Sequence, residues 1–312
     1  MSNTKNGLIG FAIGDAIGVP IEFVNRTKLQ KEPITTMQGY GSHAVPEGTW
    51  SDDTSMTLAT LDSLIECKSI NYKDIADKFL NWINNAKYTA TDIVFDIGFT
   101  TRNALTRYHL EKLEPTLCGG DKINENGNGS LMRMLPIALY VYYKNLKEEE
   151  IITIVKNISS ITHAHEISHL GCYIYVKYIQ YLLTGLNKLE SYQRVLELNY
   201  EKYFTKESIN EYQRILKTNI KDLSIDDINS SGYIRHTLEA VLWTILTTDN
   251  YKDAIIKAIN LGEDTDTIGA ITGSIAGLIY GYNTFPKEWL NKLKKLDYLE
   301  EISNKFEQIF NK

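Results

Sequence analysis

Cysteine is scarce in this chain of 312 residues. Cys67, Cys118 and Cys172 are the only three, and their separations match no metal-ligand pattern. Such sparse thiols suit a reducing compartment and exclude a disulfide scaffold or a zinc-ribbon type of fold. Long apolar runs are missing as well. The stretch 8–23 carries Asp15 and Glu22, and 268–282 is too short for a bilayer core of about 30 Å, so both read as buried helices. Residues 1–6 lack the apolar core and small-residue cleavage site of a secretory signal. The expectation is therefore a soluble, cytoplasmic protein with no membrane partner. Basic charge is not in excess: the formal net charge is −6, which argues against a nucleic-acid partner bound by phosphate neutralisation. There is no repeat, no low-complexity segment and no linker rich in Pro, Gly or Ser, so residues 1–312 read as a single domain.

What the chain does have is helical periodicity. Hydrophobic residues make up 43%, enough for a sizeable core. Apolar positions recur at three-to-four spacing over 54–66, 73–84, 131–144, 148–159, 169–183, 233–247 and 251–261. No stretch alternates with period two between hairpin turns, so the fold class is all-α. Segment 185–231 is the most charged and least patterned and reads as variable surface helices.

Two glycine ladders stand out. Gly10, Gly14 and Gly18 recur every four residues, as do Gly269, Gly273, Gly277 and Gly281. That spacing puts the glycines on one helical face, where a second backbone can approach closely. The second ladder begins directly after one of two acidic clusters. These are Ser51-Asp52-Asp53 and Asp264-Thr265-Asp266-Thr267, each at the start of an apolar helix. Each alone is explained by N-capping and the helix dipole. Together they offer the carboxylate and hydroxyl oxygens that a hard divalent cation such as Mg²⁺ or Mn²⁺ binds.

Several motifs in order resemble the ADP-ribosylglycohydrolase family. They are 14–23 (Gly-Asp-Ala-Ile-Gly-Val-Pro-Ile-Glu-Phe), Ser51-Asp52-Asp53-Thr54, Asp96-Ile97-Gly98 with Thr100-Thr101-Arg102, and Gly127-Asn128-Gly129-Ser130-Leu131-Met132-Arg133. Thr162-His163-Ala164-His165, Ser231-Gly232-Tyr233 and Asp264-Thr265-Asp266-Thr267-Ile268-Gly269 complete the series. The resemblance implies a compact all-α domain around a binuclear magnesium centre, with Mn²⁺ able to substitute. Its ligands would be Ser51, Asp52, Asp53, Asp264, Asp266 and Thr267. It further implies hydrolysis of the glycosidic bond between ADP-ribose and a modified target, either a protein or a small-molecule conjugate. Mono-ADP-ribosyl-arginine on protein is the expected substrate, with ADP-ribosyl-serine or poly-ADP-ribose as alternatives. Asp53, Glu22 and Asp96 are the candidates for accepting the proton of the attacking water. Gly127, Asn128, Gly129 and Ser130, as a glycine-rich turn before a helix, would cradle the diphosphate, and His163 would touch the substrate. Arg133 fits either a site or a structural ion pair. Around Tyr233 the chain departs from the family, with Arg235-His236 in place of an apolar-acidic pair.

Two readings from other classes compete. His165-Glu166-Ile167-Ser168-His169 matches the HExxH signature of a zinc peptidase, with Glu190 as a conceivable third ligand. A non-catalytic ADP-ribose-binding protein would share the fold, but all six matched ligand positions keep oxygen-bearing side chains, which favours an enzyme.

Overall fold

The computed structural model describes residues 2–311 and is built from helices joined by short loops and 3₁₀ turns, with no strand among the described residues. The first half contains α1 (Asn3–Gly18), α2 (Arg26–Lys31), α3 (Asp52–Cys67), α4 (Tyr72–Asn85), α5 (Phe99–Glu111), α6 (Leu135–Tyr143) and α7 (Glu148–Ser160). The second half contains α8 (Glu166–Leu183), α9 (Lys188–Leu196), α10 (Lys206–Glu211), α11 (Gln213–Lys217), α12 (Ile234–Leu246), α13 (Tyr251–Ile259), α14 (Thr265–Tyr280), α15 (Lys287–Lys292) and α16 (Leu296–Phe310). Among the described residues, no helix is long and apolar enough to cross a membrane.

The chain's two ends make its centre. α1 and α14 are apolar on nearly every face, so neither can sit at a surface, and they lie against each other antiparallel, each ladder facing the other. The approach is so close that a Cβ on Gly14 would stand 2.0 Å from the Gly269 carbonyl oxygen, and one on Gly18 would stand 2.3 Å from that of Thr265. Any side chain at either position would force the helices apart. Tyr251 Oη donates to the Gly10 carbonyl at 2.8 Å, and Thr265 Oγ1 donates to that of Gly18 at 2.8 Å, tying the pair to its neighbours and to itself. Around this pair the amphipathic helices bury one stripe each: Ile75, Phe79 and Trp82 of α4, Ile151, Val155 and Ile158 of α7, Leu299, Ile302 and Phe306 of α16.

The helices read from periodicity are present, with one break. The segment 131–144 is not one helix: a 3₁₀ turn over Asn128–Arg133 gives way at Met134 to α6. Pro136 is the cause, since its ring excludes a helical carbonyl at 132 and it has no N–H to donate. The Met132 carbonyl instead accepts the Thr57 hydroxyl at 3.2 Å. Segment 185–231 also departs from expectation. It holds α9, α10, α11 and three 3₁₀ turns, and it sends Tyr192, Val195, Tyr200, Phe204, Tyr212, Ile215 and Ile220 into the core. Its apolar residues are spread over many short elements, so no one window carries a helical period.

Candidate active site

α1 ends where α14 begins, and this junction forms the floor of a cleft of about 300 Å³. Asp15, one turn from the end of α1, is fully buried and organises the floor. Its Oδ1 accepts the Ser51 N–H at 2.9 Å, and its Oδ2 accepts the Thr54 N–H at 3.0 Å and the Thr54 hydroxyl at 2.6 Å. Burial raises its carboxyl to about 6 even against those hydrogen bonds. The start of α3 is thereby fixed beside α14. Ser51 caps α3 by accepting the Asp53 N–H at 3.3 Å and donates its hydroxyl to Asp53 Oδ2 at 3.2 Å. Thr267 donates to the same Asp53 oxygen at 3.3 Å from the first turn of α14. The two acidic clusters are one site.

Asp52, Asp53, Asp264 and Thr267 line the cleft, while Ser51 and Asp266 lie behind this lining, both buried. Glu22 and Asp96 line it as well. Asp96 occupies a left-handed conformation, φ +54°, an uncommon state for a residue with a side chain and one that concentrates at functional sites. It belongs to the loop after α4, pinned where Trp50 Nε1 donates to the Tyr88 carbonyl at 3.1 Å.

The carboxylates of the two clusters make no ion pair among the described residues, while Glu22 meets His43 Nε2. Asp53 Oδ1 and both carboxylate oxygens of Asp266 are buried and accept no hydrogen bond from a described residue. Burial, and then the repulsion of neighbouring carboxylates, pushes Asp52, Asp53 and Asp266 well above the usual carboxylate range, and burial raises Asp264. Glu22 is pushed up to about 10, by burial first and then by Asp96 and Asp264. Buried anionic oxygens without donors are costly unless a cation joins them. This donor set fits a hard divalent cation: carboxylates and hydroxyls, with no sulfur and no imidazole among the six expected ligands.

The glycine-rich turn lines the same cleft and touches Asp264. Residues 126–128 pair with 232–234, through the Asn128 N–H to the Gly232 carbonyl at 2.9 Å and the Ile234 N–H to the Asn126 carbonyl at 3.0 Å. Asn128 Nδ2 donates to Asp264 Oδ2 at 2.8 Å and reaches Thr237 Oγ1 at 2.9 Å. Gly127, Asn128, Gly129 and His163 line the cleft, but Ser130 does not. Its hydroxyl is engaged behind the wall with Ser159 at 3.0 Å and Cys172 at 3.4 Å. The cradle is thus narrower than its sequence implied, because Asn128 has spent its N–H on Gly232 and Ser130 turns inward. His163 is buried, hydrogen-bonded through Nδ1 to Thr162 Oγ1 at 2.8 Å, and held down to about 3 by burial and then by Arg133. It is a neutral imidazole with its Nε2 edge facing Gly127 and Gly129. Arg133 makes no ion pair; it donates to the carbonyls of Gly129 and Ile158 and lies over the Phe79 ring, bracing the turn from below.

The HExxH residues are not a metal site. His165 is the N-cap of α8 and takes the Ile167 N–H on Nδ1, Glu166 accepts from the Thr205 N–H and hydroxyl, and His169 bonds Ser160 at 2.9 Å. Glu190 closes the capping box of α9. With one histidine before the helix and not on it, the i, i+4 zinc geometry is lost. Asp15 and His43, behind the lining, and Phe99, Thr100, Thr101 and Met132, on it, are among the site residues to which the sequence assigned no role. A lone acid in an otherwise apolar helix was a usable signal for Asp15, whereas nothing in the pattern around His43 marked it.

A family model for ADP-ribosylglycohydrolase matches residues 1–312. The chain belongs to the ADP-ribosylglycohydrolase family. It is 34% identical over 318 residues to an ADP-ribosylarginine hydrolase of Serratia proteamaculans, covering 99% of this chain and 79% of that protein. It is 28% identical to the ADP-ribosyl-[dinitrogen reductase] glycohydrolase of Rhodospirillum rubrum, covering 91% and 88%. A solved ADP-ribosylglycohydrolase-related protein complex shares the fold with a TM-score of 0.81 at 24% identity, over 99% of this chain and 98% of that one. Like its family, this ADP-ribosylglycohydrolase is a hydrolase of glycosidic bonds.

Proposed function

We propose that this ADP-ribosylglycohydrolase removes single ADP-ribose groups from arginine side chains of protein, in a reaction that depends on Mg²⁺ or Mn²⁺. The observation that carries the cation dependence is the set of buried carboxylate oxygens on the cleft floor that no protein donor meets. The arginine linkage rests on two relatives that bear that activity in their names, at 34% and 30% identity. Two cations would be held by Ser51, Asp52, Asp53, Asp264, Asp266 and Thr267. When bound, they would supply Lewis-acid polarisation and a template for sugar and water oxygens.

The chain's own residues do the rest. Glycosidic cleavage places developing positive charge on the anomeric carbon, which the surrounding carboxylates stabilise electrostatically. Water adds its oxygen to that carbon, the bond to the guanidine nitrogen breaks, and the water's proton passes to a carboxylate. Glu22 is the best placed acceptor: it lines the cleft beside Asp96, and cations bound at the floor would lower its raised carboxyl and leave it ionised to take the proton. Asp96 is the alternative on the same wall. Asp53 serves the cation, since Ser51 and Thr267 already direct their hydroxyls to it. Neutral His163 and the Gly127–Gly129 turn bind the ADP-ribose portion. The test is a panel of ADP-ribosyl-arginine, ADP-ribosyl-serine and poly-ADP-ribose, assayed for released ADP-ribose with Mg²⁺, with Mn²⁺ and with EDTA. The proposal expects the arginine conjugate to be cleaved fastest and EDTA to abolish turnover. Preference for serine or polymer overturns the substrate, and full activity in EDTA overturns the cation.

A further inference from the structure

We propose that His43 is a positioning residue for Glu22, holding that carboxyl in its reactive orientation on the cleft wall. The inference rests on the reading of Glu22 as proton acceptor and deepens it.

Two segments meet at Glu22. The first is the turn 20–23, whose Phe23 stands in the left-handed region at φ +64° and donates its N–H to the Glu263 carbonyl at 2.7 Å. Glu263 in turn donates to the Val24 carbonyl at 2.9 Å, so the backbone carrying Glu22 is stitched to the residue before Asp264. The second is the loop 40–45, closed by Tyr40 and Val45. Gly41, at φ +64°, lies so near this turn that a Cβ there would stand 1.9 Å from the Pro20 carbonyl oxygen. Ser42 donates its hydroxyl to the Glu22 carbonyl at 2.6 Å. The loop is therefore fixed to the very backbone whose side chain it addresses.

From that loop His43 sets Nε2 against Glu22 Oε2, with the two side chains only 14% and 7% exposed. Phe95 and Phe23 neighbour the ring, with centroids 5.1 Å and 6.1 Å from it. A glutamate has three rotatable bonds, and here its other near neighbours, Asp96 and Asp264, repel its charged form. Without the imidazole, Glu22 Oε2 would lose its partner and the side chain would be free to change rotamer. The imidazole holds one oxygen of a carboxyl that lines the cleft, which is the arrangement of a base oriented by a third group. Because the contact fixes direction and does not touch the ADP-ribose site formed by Gly127, Gly129 and His163, its loss acts on turnover and not on binding.

The experiment compares His43→Ala, His43→Gln, Glu22→Gln and the Glu22→Gln/His43→Ala double variant, with saturating Mg²⁺, on ADP-ribosyl-arginine and ADP-ribosyl-serine in parallel. Thermal melts establish that each variant folds. His43→Ala is expected to lower kcat about 10- to 100-fold while KM, and the inhibition constant of free ADP-ribose, move by less than about twofold. His43→Gln, which keeps a polar group at the same reach, restores most of the loss. Glu22→Gln falls at least about 100-fold, and adding His43→Ala to it lowers kcat no further, since there is then no base left to orient. A wild-type kcat in His43→Ala, a loss that multiplies with that of Glu22→Gln, or a parallel rise in the ADP-ribose inhibition constant overturns the inference while Glu22 stands. Near wild-type turnover of Glu22→Gln overturns the base and the inference together. A wild-type enzyme active only on the serine conjugate overturns the substrate and leaves the His43 test readable on that conjugate.

Discussion

The starts of α3 and α14 look alike as sequence, an acidic pair among hydroxyls ahead of an apolar helix, yet the structure treats them differently. At α3 the cap is real: Ser51 accepts the Asp53 N–H, and Asp15 takes the Ser51 and Thr54 N–H groups. At α14 Asp264 stands in the capping position without a side-chain cap bond, its Oδ2 turned instead to Asn128, and Asp266 finds no donor. Capping therefore accounts for a hydroxyl and a non-ligand acid at one helix, and for none of the carboxylates that face each other. Helix ends built only for stability satisfy their side chains. The difference separates what holds the floor together from what the floor is for.

Replacing Asp266 with Asn breaks the comparison most sharply. Its carboxylate stabilises nothing in the protein alone, so the variant is expected to lose about 1000-fold in kcat/KM. Its melting temperature in EDTA should equal or exceed that of the wild type, because a buried repulsive charge is gone. A lower melting temperature in EDTA would make Asp266 structural. Next in size is Gly14→Val. With 2.0 Å to the Gly269 carbonyl, the added carbons must spread α1 from α14, at a cost of about 3 kcal/mol by urea denaturation. Stability unchanged there would mean the helices do not meet through their ladders. Asp15→Asn should cost about 2 kcal/mol, because the amide group cannot accept the hydrogen bonds that one carboxylate oxygen now takes from Thr54. It should also weaken activation by Mg²⁺, as the α3 start loosens. Smallest is the stability effect of Ser51→Ala, about 1 kcal/mol for a lost cap. If Ser51 is also a ligand, the Mg²⁺ concentration needed for half activity rises well beyond what that cap accounts for. A shift in stability alone would leave it a cap only.

The helical class was legible because amphipathic stripes such as Ile75, Phe79 and Trp82 repeat at the period of the helix that buries them. The glycine ladders announced a close helix contact, since local structure does not favour glycine within a helix, whereas each acidic cluster reads locally as a helix start and only the two together suggested a shared set of oxygen ligands. The break at Met134 is masked in the sequence by an apolar period that runs through it, although Pro136 marks the place. Ser130 and His43 were not readable at all. Whether Ser130 faces the cleft or Ser159 depends on the turn of one 3₁₀ segment, and His43 meets Glu22 only because a glycine lets its loop lie on the turn 20–23.

What the sequence determined by itself is therefore the local grammar: where helices start, which faces are apolar, and which residues can bind a cation or a phosphate. Only the tertiary structure decided that the acidic starts of α3 and α14, more than 200 residues apart, meet on one cleft floor beside the end of α1, and that the same cleft carries Glu22 with His43 against it. The reason is physical. Periodicity and capping act over a few residues along the chain. The charges that define this site are brought together by close packing between its distant ends, and no local pattern encodes that distance.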